Sequence, residues 1–214
     1  MKSGTLIAFE GLDGSGKATQ AMLLKRRLQK AGKTVTLFSF PQYGTLVGKF
    51  IRDTLYGMHG DLHAIPPYHG TIPYSLDRGI AAPKIRTALA RGIVIADRYT
   101  TASLAYAGAI AGPKEASRLT RFIEQLEYRE LKVPRPDAVV YLVADAKTAR
   151  SRMRREPAKK LDRNERDIAF QKRVAAHYAK LAKRKEWLTI ACSADETPRE
   201  IHERVWQALQ KKVR

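Results

Sequence analysis

Two short stretches hold the residue types that handle phosphate. In the first, Gly11, Leu12, Asp13, Gly14, Ser15, Gly16 and Lys17 place two glycines and a lysine at the GxxxxGK spacing. Glycines there let the backbone curl until successive N–H groups face phosphate oxygens, and a following helix adds the positive end of its dipole. Lys17 would bridge the outer phosphates. In the second stretch, Asp97-Arg98-Tyr99 closes the apolar run 93–96. A carboxylate in that place can orient Mg²⁺ or its water shell, and the planar fork of Arg98 suits a phosphate. One position departs from the glycine-loop pattern: the hydroxyl expected after the lysine is replaced by the methyl of Ala18, with Thr19 next to it. Either Thr19 or a water takes over, or Mg²⁺ is held mainly by the nucleotide and by carboxylates elsewhere.

The elements that must position these groups follow from hydrophobic patterning. Apolar runs at 5–9, 35–38, 93–96, 138–143 and 188–191 read as buried strands separated by helical segments. Residues 19–30 suit a helix with Met22, Leu23, Leu24 and Leu28 on one buried face. Five strands alternating with helices predict an α/β fold with a five-stranded parallel sheet flanked by helices on both faces. Ligands bind such sheets outside the carboxyl ends of the strands. The residues there are Gly11 to Lys17, Phe40 to Gly44, Asp97 to Tyr99, Asp145 and Ser193.

A chain of 214 residues, 44% hydrophobic, can bury a full core, and we expect a single domain over 1–214. There is no leader pattern and no apolar run of membrane-spanning length, so the expectation is a soluble, cytoplasmic protein. The single cysteine, Cys192, excludes an internal disulfide or a cysteine metal cluster and reads as a buried strand residue. Of the net charge of +19, more than half arises between Asp145 and Lys185, which holds 15 basic and 5 acidic residues. A basic flap over phosphates, a nucleic-acid patch and a solvated helix face all fit that excess. We read it as a mixture, with Lys180, Lys183, Arg184 and Lys185 solvating a helix. Residues 57–70 read as a loop, and His59, His63 and His69 lack metal-ligand spacing.

Several motifs then recur in a fixed order: FEGLDGSGKATQ at 9–20, Phe40-Pro41, Tyr74-Ser75-Leu76-Asp77-Arg78, Asp97-Arg98-Tyr99, Ala105-Tyr106-Ala107-Gly108, and Asp162-Arg163-Asn164-Glu165-Arg166-Asp167 with Phe170, Arg173 and Val174. In this order they resemble the thymidylate kinase family, from the first strand to the last helix. The resemblance implies a three-layer P-loop NTPase fold with a basic lid, and transfer of the terminal phosphate of ATP to dTMP with Mg²⁺, in a homodimer.

In that picture the loop from Gly11 to Thr19, with Lys17, holds ATP, and Asp97 serves the metal. Asp13 receives the sugar 3′-hydroxyl, and Phe40 and Pro41 border the acceptor. Tyr74 stacks on thymine, Arg78 donates to it, Arg98 grips the acceptor phosphate and Tyr106 lies against the deoxyribose. Because Gly14 fills the loop slot for a catalytic arginine, the lid at about 150–163 would supply one from Arg150, Arg154 or Arg155, with Arg154 the choice. Gln42-Tyr43 stands where the family often has an arginine. Ala102 and Leu104 stand where polar residues are common, which leaves Ser103 to reach the base. Another nucleoside monophosphate as acceptor, and a basic nucleic-acid-binding protein with a degenerate loop, are the alternatives.

Overall fold

All six residues of β1 (Leu6–Gly11) are buried, Glu10 included. A strand reaches that state inside a sheet covered on both faces. The computed structural model describes residues 4–60, 64–144, 148–149, 151–152 and 161–212. After β1 come α1 (Lys17–Lys30), β2 (Val35–Ser39), α2 (Leu46–Leu55), α3 (Pro67–Arg91), β3 (Ile93–Asp97) and α4 (Thr100–Glu124), which continues into a π-helical segment, Gln125–Glu130. Then follow β4 (Ala138–Val143), α5 (Arg163–Arg166), α6 (Ile168–Leu181), β5 (Trp187–Ala191) and α7 (Pro198–Leu209). The five strands are parallel, in the order β2-β3-β1-β4-β5.

Successive side chains leave opposite faces of a strand, so β1 feeds two cores. Leu6 and Ala8 join Val94, Ala96, Val139 and Tyr141 beneath α3, α4 and α6. Ile7 and Phe9 join Ile95, Val140 and Leu142 beneath α1 and α7. This sandwich puts the carboxyl ends of β1, β2 and β3 side by side, and the residues that follow them share one edge.

Some boundaries differ from the sequence reading, each for a local reason. The α1 helix begins at Lys17, two residues early, because Gly16 caps it with φ 94°. Its buried apolar face is Ala21, Leu24 and Leu28; Met22 is 38% exposed, one residue off that stripe. The loop expected over 57–70 is cut short at its far end, since Pro67 opens α3 at a position where its missing N–H costs nothing; His63 lies outside the described residues. His69 is therefore helical, and His59 stacks on Phe50 with ring centres 5.0 Å apart. Arg184 is not merely solvated: it pairs with Glu124 at 2.7 Å. Leu24→Ala removes a fully buried side chain between α1 and the sheet, and we expect a loss of about 2–5 kcal/mol in urea unfolding. A loss below about 1 kcal/mol would contradict this packing.

Candidate active site

The glycine loop has the geometry its sequence implies. Gly11 has φ 145°, and a side chain there would meet the Leu142 carbonyl oxygen and Ser15 Oγ. Lys17 folds back over the loop: Nζ donates to the Leu12 carbonyl at 2.8 Å and lies 3.8 Å from Asp13 Oδ1. Burial pulls the Lys17 ammonium down to about 8, with the Arg98 charge adding to the effect and Asp13 and Asp97 opposing it. Gly14, Ser15, Gly16, Ala18 and Thr19 line the same cleft. Leu12, by contrast, is buried in the core and offers its backbone.

At the end of β3 the chain turns sharply. Arg98 has φ 62°, a left-handed conformation that costs a non-glycine residue on the order of 1–3 kcal/mol. Its backbone N–H donates to the Phe9 carbonyl at 3.0 Å, and the N–H of Tyr99 donates to Glu10 Oε1 at 2.9 Å. Thus clamped, Arg98 sends Nη2 to Asp13 Oδ1 at 2.5 Å and to the Tyr106 hydroxyl at 3.3 Å. That hydroxyl also lies 3.3 Å from Asp13 Oδ2. Asp97 Oδ1 is buried without a hydrogen-bond partner among the described residues, and burial raises its pKa while Lys17 and Arg98 oppose the rise.

The other half of the cleft is aromatic. Phe40 is packed in the core and Pro41 follows it across a cis bond. Asp77 Oδ2 accepts from the Gln42 N–H at 2.9 Å, which ties this loop to α3. Tyr74 is half-buried against Ile51 and Leu55 and forms a cleft wall with Tyr43 and Tyr56. Arg78 also lines the cleft, but most of its donors are spent inside the protein, on Glu127 and Ser103. Ala102 and Ser103 line the cleft, whereas Leu104 is core.

The two halves form one cleft of about 770 Å³, a size that suits a small-molecule site. Four of its lining residues, Ser15, Gln20, Asp97 and Asn164, carry buried oxygens with no partner among the described residues. Unpaired buried polar atoms are costly, and their gathering in a cleft points to a polar ligand. Arg150, Arg154, Arg155 and Asp145 lie outside the described residues. Within the basic segment, Arg152 reaches the loop: Nη2 donates to the Ser193 carbonyl at 2.6 Å, and Nη1 lies 3.5 Å from the Ser15 carbonyl. The sequence places Arg152 within the basic stretch without a role of its own, and points to none for Glu10 or Asp162. A carboxylate in the apolar run before Gly11 was the available signal for Glu10; for Arg152 there was none beyond its neighbours.

Asp162 caps α5 in a reciprocal box with Glu165 and faces the cleft. Burial, with the charges of Glu165 and Asp13 adding to it, pushes its carboxyl up to about 6 against an ordinary 3.8. The folded state therefore holds this proton more tightly than the unfolded chain, so its contribution to stability is present below about pH 4 and lost as pH rises through about 6. We expect Asp162→Asn, which keeps a capping oxygen, to match the parent's thermal midpoint at pH 4 and exceed it at pH 7. Equal midpoints at both pH values would refute this assignment.

A family model described as thymidylate kinase matches residues 9–205. A thymidylate kinase of Mycobacterium tuberculosis (strain CDC 1551 / Oshkosh) is 36% identical over 200 residues, covering 89% of this chain and 92% of that protein. One of Chlorobaculum parvum is 33% identical over 215 residues, covering 96% and 95%. The solved structure of thymidylate kinase from Candida albicans has a TM-score of 0.73 at 22% identity, covering 98% of this chain and 92% of that one, a likeness of fold. The family match starts within β1 and ends within α7, so it takes in the loop, the turn at Arg98 and the aromatic wall together, and this chain belongs to the thymidylate kinase family.

Proposed function

We infer that this chain transfers the γ-phosphoryl group of ATP to dTMP, giving dTDP and ADP. One observation carries the reading: Lys17 and Arg98, the cations suited to a donor and an acceptor phosphate, approach the same carboxylate, Asp13, at 3.8 and 2.5 Å. Phosphoryl transfer asks for alignment and charge neutralisation rather than covalent chemistry, and this pair supplies both. The loop amides from Gly11 to Thr19 would cradle the donor phosphates, with Arg152 closing over Ser15. Arg98 would take the acceptor phosphate, Asp13 its sugar hydroxyl, and Tyr106 would close the sugar side. Tyr74 would stack on the base, with Arg78 and Ser103 at its polar edge. Phe40 and Pro41 would shape the floor.

The buried Asp97 Oδ1, without a hydrogen-bond partner among the described residues, fits a service to Mg²⁺. Among the described residues there is no group of three or more His, Cys, Asp or Glu side chains that could hold a metal ion. Asp97 would then hold it together with the nucleotide and water, and the ion, when bound, neutralises charge on the transferring phosphate. Thr19 lines the cleft next to Ala18 and would supply the hydroxyl that Ala18 lacks. The lid arginine of this reading is Arg154, with Arg150 and Arg155 as alternatives.

No described helix is long and apolar enough to cross a membrane, and we propose a cytoplasmic homodimer. Ile72, Leu76 and Ile80 recur every four residues along α3 and are 44%, 42% and 55% exposed. The neighbouring α2 exposes Leu46 and Phe50. A second copy of the chain would cover this stripe. We expect sedimentation to give twice the chain mass, and Leu76→Glu with Ile80→Glu to give the single mass. A monomeric parent protein would remove the dimer from the proposal.

The activity is tested by ADP release with ATP and Mg²⁺ against dTMP, dUMP, dCMP, dGMP, UMP and thymidine. The expected result is preference for dTMP, loss of turnover in Lys17→Ala, and a raised acceptor KM in Arg98→Ala. Near-normal turnover of Lys17→Ala would overturn the phosphate-loop assignment.

A further inference from the structure

Glu127 does not line the cleft, yet it is hydrogen-bonded to a group that does. It sits in the π-helical segment Gln125–Glu130 and is fully buried. Oε1 accepts hydrogen bonds from Ser75 Oγ at 2.8 Å and Arg78 Nη2 at 2.6 Å, and Oε2 accepts from Arg78 Nε at 2.7 Å and Thr100 Oγ1 at 2.6 Å. Four donors from α3 and α4 thus converge on one carboxylate. A buried ion pair is tolerable only when its hydrogen bonds are this complete. Isolated π-turns are rare and gather at functional sites.

The consequence lies in what is left of Arg78. Its Nε and Nη2 edge is held by Glu127, and Nη2 also donates to Ser103 Oγ at 2.5 Å. Nη1 has no hydrogen bond among the described residues, and Arg78 and Ser103 both line the cleft. Proton order along the chain is fixed by chemistry: a carboxylate only accepts and a guanidinium only donates. Ser103 Oγ must therefore accept from Arg78 and keeps its own proton and one lone pair for the cleft. An Nη1 donor facing a pyrimidine suits a keto oxygen and sets donor against donor with an amino group.

We propose that Glu127 is the positioning residue for base selection, locking the guanidinium so that Arg78 and Ser103 favour a keto pyrimidine over an amino pyrimidine. The inference rests on the acceptor site proposed above. Glu127→Gln keeps the shape of the side chain but removes its charge and one accepting oxygen.

The test measures kcat and KM for dTMP and dCMP in the full-length protein. With Glu127→Gln we expect a dTMP KM raised on the order of tenfold, kcat within about threefold, an unchanged ATP KM, and a dTMP-to-dCMP ratio of kcat/KM lowered on the order of tenfold. Thr100→Val removes a donor to the same carboxylate without touching Arg78; it should lower the thermal midpoint and spare the ratio. A merely structural role for Glu127 would likewise lower the midpoint and leave the ratio alone, so a folded Glu127→Gln protein with a ratio within about twofold of the parent overturns the proposal. If Glu127→Gln does not fold, Glu127→Asp, which keeps the charge but shortens its reach to Arg78, is measured in its place: a ratio lowered on the order of tenfold is expected, and a folded protein with a ratio within about twofold of the parent overturns the proposal. An Arg78→Gln protein with the parent's ratio would instead sink the base-reading assignment on which this inference stands.

Discussion

The site depends on burying one carboxylate. Glu10 lies in the central strand with no solvent exposure, and burial pushes its pKa up. Such a group persists only if the fold brings donors to it. Here they come from far along the chain: the N–H of Tyr99 at 2.9 Å, Thr101 Oγ1 at 2.5 Å and the Tyr178 hydroxyl at 2.8 Å. One strand, the turn after β3 and a helix on one face of the sheet are thereby joined at a point. The turn so pinned is the one that holds Arg98 at φ 62°. The cost of that backbone is met by partners for a charge that is buried in any case, and the guanidinium emerges aimed at Asp13.

Charge in the cleft differs from charge on the molecule. The chain carries +19 overall, whereas Lys17 and Arg98 are surrounded by Asp13, Asp97 and Asp162. The long-range field draws anions toward the protein, but the cleft itself is close to balanced. Both of these cations already have Asp13 as a carboxylate neighbour. A nucleotide phosphate must exchange those contacts for its own, so binding selects for ligands that bring enough accepting oxygens to both cations, or a metal ion to the carboxylates. This is a reason for carboxylates in a site built to hold anions.

Much of this was legible in the sequence where chemistry and local spacing coincide. The glycine loop, Asp97-Arg98 and the five strands all rest on short-range patterns, and the strands fall within two residues of their expected ends. Met22 was misplaced because consecutive apolar residues do not show which one lies on the helix stripe. The carboxylates that organise the site were harder to see. Glu127 meets Arg78 across 49 positions and Glu10 meets Tyr178 across 168; no window of the sequence contains both partners. Arg78 could be read as a base donor from its motif, but not as a guanidinium whose edge is already occupied.

The strand order has a bearing on how the protein is made. The strand that leads into the phosphate loop is the first of the five to leave the ribosome, yet its neighbours are β3 and β4. At roughly 5–20 residues per second, β1 waits several seconds for β3 and longer for β4. Its apolar side chains, and Glu10 among them, stay without partners through that interval. A nascent chain stalled before β4 would hold every residue of the loop and none of its function, and its exposed strand is the kind of segment that chaperones recognise.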